Sequence, residues 1–279
     1  MVVSWKLKDN ITIVFDRRSL ALKKHHQDIR DLIYVHLNQS DQYVMSYGIE
    51  FDEFTAAFSG SLNHLLLLAH RFDDADFNRH TLLEYCPEDR INKLAAEDVY
   101  GYGNFCWIDF IEEEGLNELT GQEMAELLYL GHHKHHLKLP FYNKLGNRFV
   151  YLAHDDGWYN KIYYRSFKDF FHLLSVAMAR KLGELKPEKS ILGLRKKRTY
   201  PPVAKEILLS LTPFIKEGIC ISLRDADHQR TRIEIPVWVI GDFANMDDMY
   251  EEYQQISNKP YHAKLIFDKK TKEWKLNII

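Results

Sequence analysis

Gly131-His132-His133-Lys134-His135-His136 is the densest run of chemistry-bearing side chains in the chain. Neutral imidazole is a common zinc ligand. On an extended segment His133 and His135 point the same way, as two ligands of one ion must. On a helix, His132 and His136 share a face instead. No third or fourth ligand is locally spaced, so candidates come from elsewhere: His154, Asp155 and Asp156. The bland reading is a solvated turn after a helix, where partly cationic His and Lys suit the dipole.

His154-Asp155-Asp156-Gly157-Trp158-Tyr159 sets an imidazole beside two carboxylates. Such a set can move a proton or hold a divalent ion. Asp-Gly is also what a tight hairpin demands, because glycine accepts positive φ, and the turn is the preferred reading. Asp109 alternates with Phe105, Trp107 and Ile111 on one face of a strand. A carboxylate there is paired, functional or at a sheet edge. Arg195-Lys196-Lys197-Arg198 offers four cations to phosphates, with Tyr200 for stacking. In a linker the same run is a solvated hinge. Cys86, Cys106 and Cys220 lack the partner pattern of a nucleophile and read as buried inert thiols. Walker A, dinucleotide-glycine, GxSxG, HExxH and paired CxxC patterns are absent.

The elements that must position these residues follow from periodicity and punctuation. Val3, Trp5 and Leu7 alternate, and Asp9-Asn10 turns into Ile11–Phe15, predicting a hairpin. Ser19 caps a helix expected over about 20–37, with Leu22, Ile29 and Ile33 on one face. A largely buried helix is expected over about 52–71, through Phe54, Phe58, Leu62, Leu65 and Ala69. Asn104–Ile111 reads as a buried strand. Thr120 and Glu123 form a capping box for a helix that ends at Gly131. Arg148–His154 and Trp158–Arg165 make a hairpin, and Ser166 caps a helix through Leu185. Residues 186–202 combine Pro, Gly and charge without a period, as a linker does. The rest reads helix–strand–strand–helix–strand–strand.

The expected fold is therefore α+β: antiparallel hairpins with packed helices. Residues 1–190 form a larger N-terminal domain and 199–279 a smaller C-terminal αββαββ domain.

The chain's 279 residues carry a net charge of −3, but the charge is sorted. Residues 50–129 hold 4 basic and 18 acidic residues, net −14, and residues 130–232 hold 20 basic and 9 acidic, net +11. The two stretches either neutralise each other inside one fold or present charged faces to partners. Three cysteines make no disulfide framework and fit a reducing compartment. The N-terminus lacks the pattern of a signal peptide, and no apolar run is long enough to span a bilayer. A soluble cytoplasmic protein is expected.

NFCWIDF, RFVYLAHDDGW and a helix beginning SFKDFF occur in order between Asn104 and Leu174. In this order they resemble the SMI1/KNR4-type interaction fold over about a quarter of the chain. The resemblance implies an interaction role.

The leading expectation is a non-catalytic protein-interaction or regulatory protein with segregated acidic and basic surfaces. It needs no cofactor and binds a protein partner rather than a membrane. One alternative is a metal-dependent enzyme, using zinc or another divalent ion at the histidine cluster with His154, Asp155 and Asp156. The other is a nucleic-acid-binding protein that uses Arg195–Arg198 and Tyr200.

Overall fold

The computed structural model describes residues 3–6, 12–15, 31–58, 62–97, 103–134, 138–154, 157, 159–185, 188–189, 195–196 and 199–279. The strands are β1 Val3–Lys6, β2 Thr12–Phe15, β3 Leu32–Asn38, β4 Tyr43–Tyr47, β5 His64–Leu68, β6 Asp76–Asn78, β7 Leu83–Pro87, β8 Phe105–Phe110 and β9 Phe149–His154. They continue with β10 Tyr159–Tyr164, β11 Glu188–Lys189, β12 Arg195–Lys196, β13 Ile219–Ser222, β14 Asp227–His228, β15 Arg232–Val239, β16 Ala263–Asp268 and β17 Trp274–Ile278. The α-helices are α1 Phe51–Ala57, α2 Ile91–Ala95, α3 Glu114–Asn117, α4 Gly121–Gly131, α5 Phe167–Leu185, α6 Lys205–Ser210, α7 Thr212–Glu217 and α8 Met246–Ile256.

Helices and an antiparallel sheet make this an α+β fold. Thirteen strands form one sheet in the order β17-β16-β15-β13-β3-β4-β10-β9-β8-β5-β7-β6, with β14 beside β15. β13 pairs antiparallel with β3, from Ile219↔Val35 to Ser222↔Leu32, so the sheet runs unbroken from N-terminal to C-terminal residues. Gly48, after β4, has φ +76, and a Cβ there would lie 1.8 Å from the Leu32 carbonyl oxygen. Only glycine fits that crossing of the two chain segments. Among the described residues no helix is long and apolar enough to cross a membrane.

Helices cover both sheet faces. α1, α5, α6 and α7 contribute to the core on one face, α4 covers β5–β9 on the other, and α8 packs beside it over Tyr34, Tyr159 and Trp238. This arrangement overturns two helix expectations. The 52–71 helix is only Phe51–Ala57, and His64–Leu68 is a strand. Leu65 and Leu67 enter one core while Leu66 and Leu68 enter the opposite one. When both faces are buried, the period of 2 disappears into a continuous apolar run. The same holds at Leu32–Asn38, where Ile33 and Val35 face one core and Leu32 and Tyr34 the other. Residues 20–30 of the expected 20–37 helix lie outside the described residues.

The sorted charge resolves into contacts. Ion pairs join the acidic and basic stretches as Asp52–Arg180, Glu53–Lys181, Asp109–Arg148, Glu123–Lys144 and Glu126–Lys138. Asp109 is thus the paired case. Its Oδ1 accepts the backbone N–H groups of Arg148 and Phe149, each at 2.9 Å. Burial nonetheless pushes its carboxyl above the usual range, with those bonds and Arg148 opposing.

Candidate functional site

Three elements converge near the predicted histidines: the C-terminus of α4, the start of β8 and the end of β9. α4 opens as its sequence predicts, with Thr120 and Glu123 capping each other. Its end is different. Gly131 stays helical, and a Cβ there would stand 3.0 Å from the Leu68 Cβ, so glycine serves a close helix–strand approach. The left-handed position that usually takes glycine falls instead on His133, at φ 54. His133 N–H donates to the Leu130 carbonyl at 2.8 Å, and Lys134 N–H to that of Tyr129 at 3.1 Å. That pattern is a Schellman cap.

The cap turns His133 inward and leaves His132 exposed. His133 Nε2 lies 2.9 Å from the Phe105 carbonyl oxygen, and its Nδ1 lies 3.4 Å from Nδ1 of His154. Burial lowers the pKa of His133. Burial, the His133 ring and the Lys161 ammonium bring His154 down to about 4. Both rings are therefore neutral at pH 7, the form that carries a lone pair. His135, His136, Asp155 and Asp156 lie outside the described residues. Gly157 has φ +86, as a tight turn requires. Among the described residues no group of three His, Cys, Asp or Glu side chains could hold a metal ion.

The phosphate-contact candidates are placed only in part. Arg195 and Lys196 form β12, paired with β11, while Lys197 and Arg198 lie outside the described residues. Tyr200 packs edge-on against Phe267, with ring centroids 5.2 Å apart. Cys86, Cys106 and Cys220 are buried free thiols, as expected of inert ones. Burial pushes Cys86 up to about 12.

A feature not anticipated from the sequence lies on the outer side of α4. A groove of about 400 Å³ runs between the helix and the β5–β7 edge, lined by Leu68, His70, Phe77, Leu82, Leu128 and His132 among others. Phe77 is 54% exposed, Leu82 69% and Leu128 52%, so three large apolar side chains meet water at one place. Asn78 builds the turn that presents Leu82. Its buried Oδ1 accepts the N–H groups of His80 and Thr81 and the Thr81 hydroxyl. Its Nδ2 donates to Asn117 at 3.0 Å. The result holds Leu82 at φ 59, a left-handed conformation that costs a non-glycine residue about 1 kcal/mol or more. His70, which lines the groove, accepts at Nδ1 from Trp107 Nε1–H at 3.1 Å, and burial lowers His70 to about 4.

A second cavity, about 480 Å³, lies between α8 and β15, with Trp238, Tyr250 and Tyr261 in its walls. Its acidic groups are matched internally. Asp225 accepts from Ser222 and Tyr253, and Glu234 pairs with Arg232 and Lys264. The groove beside α4 keeps its apolar groups unmatched and is the better docking candidate. No protein-family model matches this chain, and no curated protein or solved structure matches it either.

Proposed function

We propose that this chain is a non-catalytic cytoplasmic interaction protein that receives a partner segment in the groove beside α4. The observation that carries the reading is the clustering of exposed Phe77, Leu82 and Leu128 around one concavity. Contiguous exposed apolar surface of this kind marks interaction sites. The strained turn at Leu82 adds weight, because strain persists where it presents a side chain for use.

Charge selects the partner's chemistry. The groove lies mostly in the stretch of net −14, and its wall holds one acid, Glu84, and one base, Arg71. Only part of that excess is met by the five ion pairs to the basic stretch. A segment with apolar anchors flanked by Lys or Arg fits both features. A random-peptide phage library panned on the purified chain is expected to enrich such sequences. Leu82→Asp and Leu128→Asp are each expected to weaken the selected peptides at least tenfold, with little change in Tm because both side chains are exposed. Enrichment of peptides indifferent to both substitutions overturns the reading. A concentration-dependent dimer abolished by Leu82→Asp identifies a second copy of the chain as occupant instead.

A further inference from the structure

The cavity between α8 and β15 has a use distinct from the groove, and its walls are aromatic. Trp238 stands on the β15 face that also carries Glu234 and Pro236, while Ile233, Ile235 and Val237 on the other face enter the core. Tyr250, Tyr253 and Gln254, at i, i+3 and i+4 of α8, turn one helix face toward the same space. Tyr253 and Tyr261 are both steeply inclined to Trp238, at 80° and 83°. Trp238 Nε1–H donates to the Lys259 carbonyl at 3.2 Å, and the Tyr253 hydroxyl bonds Ser222 Oγ at 3.1 Å. The polar ends of these two rings are thus used internally. Both are buried, whereas Tyr250 and Tyr261 are half-buried and present ring carbon to a ligand.

The rest of the lining is polar and partly unspent. Arg224, Gln254 and Asn258 line the cavity, are exposed, and make no side-chain hydrogen bond or ion pair among the described residues. Planar guanidinium and amide groups hold their donors and acceptors in fixed directions, as recognition of neighbouring hydroxyls requires. The charges of the wall cancel. Asp225, Asp227 and Glu234 are set against Arg224, Lys264 and, paired to Glu234, Arg232. The Lys264 ammonium stands 4.5 Å from the Tyr261 ring centroid, so that ring already holds a cation. The lining selects neither a cation nor an anion. It suits a neutral ligand with a carbon face and a hydroxyl edge. Rings inclined to one another suit the C–H bonds of a pyranose chair, which point several ways, better than a flat base.

We infer that this cavity binds a neutral pyranose sugar. Tyr250 and Tyr261 pack against its C–H bonds, and Arg224, Gln254 and Asn258 hydrogen-bond its hydroxyls. The volume, about 480 Å³, is that of a small-molecule site, about 300–1,000 Å³. The cavity and the groove beside α4 share no residue, so the two readings stand or fall separately.

Saturation-transfer NMR on the full chain tests this with the methyl glycosides of glucose, galactose, mannose and N-acetylglucosamine, and with maltose and cellobiose. Each is used at about 10 mM, above a weak-site Kd of about 1 mM. At least one is expected to receive magnetisation at its ring C–H protons. Tyr261→Ala and Gln254→Ala are each expected to weaken that sugar at least fivefold, while Leu209→Ala, exposed on α6, leaves it unchanged. Gln254 is exposed, so its substitution decides the matter if Tyr261→Ala fails to fold. No transfer to any of these sugars overturns the inference. So does binding indifferent to both substitutions. Adenosine or tetramethylammonium bound in place of the sugars, and lost in the same variants, overturns it too and assigns the cavity to a flat base or a cation.

Discussion

Replacing Lys181 with Met is expected to destabilise the protein by about 3–5 kcal/mol at pH 7.5, because it strands a buried carboxylate. Lys181 Nζ lies 3.0 Å from Glu53 Oε1, and both side chains are almost fully removed from water. The other Glu53 oxygen accepts the Glu50 N–H at 2.8 Å, closing the cap of α1. The pair therefore joins α1 to α5, beside a second rung from Asp52 to Arg180 at 2.6 Å. Burial raises Glu53 to about 7, with Lys181 as the main opposing influence. An acid whose folded pKa lies above its unfolded value holds its proton more tightly in the native state. Its contribution is then fully present below the unfolded pKa and declines as pH rises toward about 7. Without the ammonium the folded pKa rises further, and the decline extends to higher pH. Urea unfolding should thus show a large loss for Lys181→Met at pH 7.5 and a smaller one at pH 5. Adding Glu53→Gln should recover most of it. A loss equal at both pH values, or below about 1 kcal/mol, contradicts a buried pair.

Asp109→Ala is expected to cost about 3–5 kcal/mol, since it removes the acceptor of two N–H groups and the partner of Arg148. The β8–β9 ladder runs to Ile108↔Val150. Beyond it the Asp109 carboxylate takes the place of backbone acceptors, serving Arg148 N, Phe149 N and, at 3.2 Å, Arg148 Nε. Asp109→Asn keeps one carbonyl oxygen for the two N–H groups but turns a donor or a neutral oxygen toward Arg148. It should cost about half as much. Thermal unfolding of the two variants in parallel checks the order. An alanine variant within about 0.5 kcal/mol of the parent protein would remove Asp109 from the account of how β8 ends.

Local chemistry made some of this fold legible. Thr120 with Glu123, glycine at 157 and the apolar face of Phe167–Leu185 each act over a few residues, so α4, the β9–β10 hairpin and α5 could be read directly. The C-terminal order was readable in outline for the same reason, although the expected first helix is two, α6 and α7, and the short β14 lies between β13 and β15. β3 and β5 were not, because burial on both faces hides their alternation, and the pairing of β3 with β13 has no local trace. The histidines 133 and 154 were visible as residue types, but their meeting depends on a Schellman cap and on Phe105↔Ala153 pairing. Gly131 read as the cap itself. Its actual reason, the nearness of Leu68, belongs to tertiary packing. Asn78 gave no sequence signal beyond a polar stretch, although its buried amide shapes the turn at Leu82. The charge blocks were countable from the sequence, whereas the side chains that meet across them are settled only by the fold.

The central claim is that the groove beside α4 is where this protein meets its partner. Hydrogen exchange, measured on the chain alone and with a peptide selected against it, tests that claim most directly. Slowed exchange is predicted at 67–71, 77–84 and 128–132, the three segments that form the groove. Protection confined to the α8 cavity around Trp238, Tyr250 and Tyr261, with these three segments unchanged, would contradict it.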